Sequence, residues 1–170
     1  MENLNVYTIK VTGWKDDIQC IKIEDGIGWI LYKRVYDYTV DGILLINKRF
    51  IKSCIRTEKE IFTEDVLRAN NKLILESVEI PLDTFSLFNN LYLQNKVFQV
   101  TLKDDSYVYI GKIEKIIKKS FYFRKINAKG RWVESIFLRM DFIRAIEFDS
   151  EYIISLLVYS DSVDDNLIVK

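Results

Sequence analysis

The sequence predicts a mainly β protein with two short helices, built as a tandem repeat of bent five-stranded barrels. Three observations carry this expectation. The apolar residues are mostly Ile, Val, Tyr and Phe, whose stiff or flat side chains suit a pleated surface, whereas alanine occurs only at Ala69, Ala128 and Ala145. Turn residues punctuate both ends of the chain every 8–12 residues or so, the spacing of a small meander or barrel. The chain also keeps step with itself when slid by 92 positions.

Val6 to Thr12 opens the series of strands, and Ile18 to Glu24 follows with Ile18, Ile21 and Ile23 as its apolar positions. Asp25-Gly26 with Gly28 is a turn signal, because glycine tolerates positive φ and aspartate favours tight turns. Trp29 to Val35 sets Trp29, Leu31 and Val35 against Tyr32 and Arg34, which predicts one buried face. Asp41-Gly42 punctuates again before Ile43 to Ile46 and Phe50 to Ile55.

Thr57-Glu58-Lys59-Glu60 reads as a capping box, and Phe62, Val66 and Ala69 recur at helical spacing up to Asn70-Asn71. This predicts a helix over 58–69. Beyond Pro81, Asp83 or Thr84 caps a second helix ending near Asn95. Strands resume with Val97 to Leu102, a turn at Asp104-Asp105-Ser106, and then Tyr107 to Ile117, bent at Gly111. Lys118-Lys119-Ser120 turns into Phe121 to Ile126, and Ala128-Lys129-Gly130 into Trp132 to Leu138. Phe142 to Phe148 and Tyr152 to Tyr159 close the series, and 161–170 is expected to fray.

From Ile18 to Phe62 the offset of 92 holds without a gap. It places Trp29 and Leu31 on Phe121 and Phe123, and Leu44-Leu45-Ile46 on Ile136-Phe137-Leu138. The expected organisation is a first barrel over 1–57, a helical connector over 58–95, a second barrel over 96–160 and a tail over 161–170. The strand order in each copy, the charged hairpin, Gly111 and Leu138-Arg139-Met140-Asp141 resemble the Sm-like (or SH3-like) small β-barrel. Nucleic-acid-binding Sm-like proteins carry hydrophobic-Arg-Gly at the last of these places and an Asp…Asn pair earlier. Here Met140 stands for the glycine and Ile117 to Phe123 lacks the pair, so the resemblance implies the fold without the RNA pocket. Trp29-Ile30-Leu31, Asp41-Gly42, Ile46-Asn47-Lys48, Gly130-Arg131-Trp132 and Asp141-Phe142-Ile143 also resemble a loose group of uncharacterised bacterial proteins with no assigned activity.

Composition excludes several classes of function. The 170 residues carry 25 Lys+Arg against 25 Asp+Glu and no histidine. There is therefore no Ser-His or Cys-His couple and no imidazole base or metal ligand. Balanced charge argues against a surface that is electropositive throughout. Cys20 and Cys54 form no CxxC pair, so neither a zinc site nor any other metal or cofactor is expected. Two isolated thiols are expected reduced, with a disulfide as the lesser alternative. Gly26-Ile27-Gly28 lacks the downstream residues of a phosphate loop. No catalytic residue is assigned. The N-terminal MENLNVYTIK has no signal-peptide pattern and no apolar run approaches the ~20 residues of a membrane span, so a cytoplasmic location is expected.

Two groups of residues stand out as ligand surfaces. Between Gly111 and Arg131 lie Lys112, Lys115, Lys118, Lys119, Arg124, Lys125, Lys129 and Arg131, opposed only by Glu114 and interleaved with Tyr122. Single-strand binders combine phosphate contacts with stacking in this way, while a solvated hairpin whose lysines block sheet pairing has the same composition. Alternation turns Phe121 and Phe123 inward and Tyr122 and Arg124 outward. Tyr36 and Tyr38, beside Asp37 and Asp41, form the second group, as an interface anchor or as packing over a barrel end. The expectation is a non-catalytic binding or scaffold protein of accessory or immunity type. Its partner is another protein, with nucleic acid through 112–131 as the alternative; the oligomeric state is left open.

Overall fold

The computed structural model describes residues 4–74 and 77–168, with side chains as far as 163. Among the described residues ten strands and three helices follow in the order β1 (Val6–Val11), β2 (Ile18–Asp25), β3 (Trp29–Tyr36), β4 (Thr39–Asn47), β5 (Ile51–Ile55), α1 (Glu58–Ala69), α2 (Thr84–Leu93), β6 (Phe98–Thr101), β7 (Val108–Ile117), β8 (Ser120–Ile126), β9 (Trp132–Arg139), β10 (Ala145–Phe148) and α3 (Glu151–Ile168). A single 3-10 turn precedes β5 and another precedes β10.

The mainly β class follows the sequence. The expected tandem of bent five-stranded barrels is not set apart as such: the strands form one open antiparallel sheet in the order β5-β1-β2-β3-β4-β10-β6-β7-β8-β9. The reason is the pairing of β4 with β10, Ile46 opposite Ala145 and Leu45 opposite Ile146, which joins the two halves edge to edge. Within each half the five strands follow the same order, with the last strand beside the first.

The hydrogen-bonded ladders of the halves coincide at an offset of 91 through their first three strands and of 92 from the fourth. Cys20 faces Arg34 as Gly111 faces Lys125, whereas Leu31 faces Leu45 as Tyr122 faces Phe137. The gapless offset of 92 is thus one residue out for β2 and β3. The extra residue lies in the longer β8–β9 connection, Asn127–Arg131, against the tight turn between Tyr36 and Thr39. A slip of one residue exchanges the faces of a strand. Phe121 and Phe123 therefore take the places of Ile30 and Tyr32 rather than those of Trp29 and Leu31.

β3 is buried on both faces from Trp29 to Tyr32, not on one. Ile30 and Tyr32 join Ile9, Cys20, Leu44 and Ile46 inside the first half. Trp29 and Leu31 face the other way, into a core shared with Leu45, Ile146, Val100, Phe121 and Phe123. α2 seals that core: Phe88 lies 6.0 Å from the Trp29 ring and 5.1 Å from that of Phe121. Its cap is Asp83, which accepts from the Ser86 amide at 3.0 Å.

α1 has the expected limits and capping box, the Thr57 amide donating to Glu60 at 2.7 Å. Its buried residues are Glu60, Thr63, Glu64 and Leu67, however, and Phe62 is exposed. The carboxylates explain the choice of face. Glu60 accepts from the Thr8 hydroxyl at 2.7 Å, and Glu64 from the Val6 amide while paired with Arg56. Tyr152 to Tyr159, expected as a strand, lies in α3. Ile153 and Ser160, seven positions apart, are buried on one side of that helix, and Tyr159 packs beside Gly130. α3 also occupies the expected tail as far as Ile168.

Candidate functional site

The surface that concentrates exposed aromatic and basic groups is the outer face of β7, β8 and β9. Strand alternation creates it, because Phe121 and Phe123 turn into the core and leave Tyr122 and Arg124 outside. Across this face Lys115 stands opposite Tyr122 and Tyr122 opposite Phe137, and one row further Lys112, Arg124 and Ser135 line up. Tyr122 and Phe137 are 42% and 54% exposed, with ring centroids 5.2 Å apart. Beside them the Arg139 guanidinium lies 4.7 Å over the exposed Phe142 ring. Sequence reasoning singled out Tyr122 but not Phe137, Phe142 or Arg139; placing Phe137 opposite Tyr122 required the β8–β9 register.

Phe137 belongs to a sheet edge. Among the described residues β9 pairs only with β8, so the far side of Trp132–Arg139 carries no neighbouring strand. The other free edge is β5, paired only with β1.

The basic run is divided rather than gathered. Lys118 and Lys119 sit in the β7–β8 turn, Lys118 with φ at 55°. Lys129 and Arg131 lie beyond the opposite end of β8, whose seven residues span roughly 20 Å at the usual rise per strand residue. Carboxylates hold some of the cations between: Lys125 meets Glu134 at 2.6 Å and Arg124 meets Glu114 at 3.9 Å. Lys112 and Arg124 also lie over the Trp132 ring, at 5.2 and 6.0 Å. The face is therefore of mixed charge around an aromatic centre.

Tyr36 and Tyr38 belong elsewhere, at the end of β3 and in the β3–β4 turn, with β10, β6 and β7 standing between β4 and β8 in the sheet. Both are partly exposed. Arg34 covers the Tyr36 ring at 4.4 Å while bound to Glu147 at 2.7 Å, and the Tyr38 carbonyl accepts from Lys72. Burial, then the Glu147 charge, raise the Tyr36 pKa above the usual phenol value. Asp41 accepts from the Glu151 amide at the start of α3. These residues tie the turn to the helices.

A cleft of about 540 Å³ opens under α3, lined by Tyr109, Ile110, Ile126, Tyr152 and Leu156 with Lys125 at its side. Its one cation is held by Glu134, and no acid–base couple faces it. Among the described residues no group of three or more Cys, Asp and Glu is placed to hold a metal ion. Both thiols are free; Cys20 is buried and Cys54 exposed, and burial, the first cause in each, raises both pKa values. No described helix is long and apolar enough to cross a membrane. Compared with known protein families, with curated proteins and with solved structures, the chain gives no match.

Proposed function

We propose that this chain is a non-catalytic, cytoplasmic binding or scaffold protein made of two tandem Sm-like barrels, and that it engages another protein through β9. The observation that carries the reading is the exposed Tyr122–Phe137 pair on an unpaired strand edge. A partner strand laid along Trp132–Arg139 would satisfy the free backbone groups, and the rings would supply an apolar anchor. The equal order of strands in the two halves, with their matching ladders, supports duplication of one small barrel. An accessory or immunity-type role suits such a surface.

Nucleic acid is disfavoured by the division of the cations between the two ends of β8 and by the carboxylates on Lys125 and Arg124. Two experiments test the reading. Capture of proteins from the source cell with wild-type and Phe137→Lys baits should give a stoichiometric partner only with the wild type; identical capture by both would refute the edge. Single-stranded oligonucleotides at low salt should give no shift. A complex whose affinity falls steeply with salt would put nucleic acid in its place.

A further inference from the structure

The joint between the two halves of this chain has unused copies of both its sides at the ends of the sheet. In the joint, one row of directly opposite residues crosses from Leu31 to Leu45, Ile146, Val100 and Tyr109. By the ladder offsets, the places of Leu31 and Leu45 are repeated by Tyr122 and Phe137, which face each other at the free edge of β9. The places of Ile146, Val100 and Tyr109 are repeated by Cys54, Ile9 and Ile18, which form a row ending at the free edge of β5.

We propose that β9 of one molecule pairs with β5 of a second copy of this chain, head to tail, in the register of the internal joint. This rests on the β9 reading above and names its partner. Ala145 opposite Ile46, Ile146 opposite Leu45 and Glu147 opposite Leu44 within the chain become Ser53 opposite Leu138, Cys54 opposite Phe137 and Ile55 opposite Ile136 between chains. All three pairs are uncharged, and Phe137 and Ile55 are exposed in the single chain. The helix that follows each last strand is no obstacle, because α3 follows β10 in the joint as α1 follows β5. Where α2 covers Trp29 in the joint, the corresponding residue is Ser120, a small polar side chain suited to a place with no helix over it. An interface of this kind presents different surfaces on its two sides, so it propagates from copy to copy as a ring or a filament.

Cys54 makes the register testable. Residues directly opposite in an antiparallel pair have Cα atoms about 4.5–5.5 Å apart, within the range a disulfide spans. Phe137→Cys under mild oxidation should give covalent dimers and higher species, in which a peptide containing Cys54 is joined to one containing the introduced thiol. The added Cys54→Ser substitution should abolish them, and Ile136→Cys, on the opposite strand face, should not form them. Light scattering of the wild-type chain should show mass rising with concentration, and Phe137→Lys should weaken this at least tenfold with an unchanged circular-dichroism spectrum. A wild type that stays monomeric at high micromolar concentration, or a link between two introduced thiols in place of the mixed one, would overturn the proposal. If β9 nonetheless captured a different protein in the source cell, the edge would remain a docking site and only the second copy would be excluded.

Discussion

Replacing Phe88 by alanine tests whether the two halves of the sheet share one core. Phe88 is fully buried and touches Trp29 of the first half and Phe121 of the second. Truncating a buried phenylalanine costs about 3–5 kcal/mol, and each aromatic pair adds roughly 0.5–1.5 kcal/mol beyond the area it buries. With two ring partners and complete enclosure, Phe88→Ala should lie near the upper part of that range, about 4–5 kcal/mol. At ~2–4 °C per kcal/mol for a chain of this length, Tm should fall by roughly 10–15 °C. Urea unfolding followed by far-ultraviolet circular dichroism and by tryptophan fluorescence should show one coincident transition, moved to lower urea with an unchanged slope. A loss below about 1.5 kcal/mol would refute the reasoning. So would two separate transitions of which only one moved, because halves that unfold independently do not share the Trp29–Phe88–Phe121 stack.

Glu60→Gln should destabilise the chain by about 2 kcal/mol in the same assay, because the carboxylate accepts charge-assisted hydrogen bonds from Thr57 and Thr8. Burial works to raise the Glu60 pKa, but these bonds outweigh it and hold it at about 2, against 4.5 ordinarily. A depressed folded-state pKa gives stability that is present above pH 4.5 and lost as pH falls from there through about 2; acid titration of the variant should lack that part of the slope. Gly111→Ala should cost about 2–3 kcal/mol, since an added Cβ would overlap the Arg124 carbonyl oxygen and stand 3.0 Å from the Lys125 Cα, backbone atoms that cannot swing aside. Gly28→Ala meets its nearest neighbour, the Thr84 hydroxyl, at 3.4 Å and should change stability by less than about 1 kcal/mol.

What was legible in the sequence was local. Thr57 and Glu60 marked the start of α1 and Asn70 its end, because each depends on residues a few positions apart, whereas the bulge expected at Gly111 falls between Ile113 and Lys115. Pairing between distant strands was not legible. β3 read as half-buried because alternation cannot reveal that a second half of the chain covers its outer face. The sequence marked Phe62, Val66 and Ala69 as the spaced apolar positions of α1, but periodicity counts apolar residues and takes no account of buried carboxylates with partners at Thr8, Val6 and Arg56. Tyr152 to Tyr159 satisfies strand composition and helical spacing together, and it lies in α3 with Ile153 and Ser160 buried. At the candidate site, alternation placed Tyr122 outward correctly. Phe137 emerged only with the β8–β9 register, and the basic run looked continuous because sequence proximity hides the length of β8.

Hydrogen–deuterium exchange measured over a series of protein concentrations tests the docking role of β9 most directly. The amides of Ile136–Leu138 and Ser53–Ile55 should become protected together as concentration rises, while those of the central strands keep their rates. Exchange at both edges that is the same at every concentration would contradict pairing of β9 with a second copy.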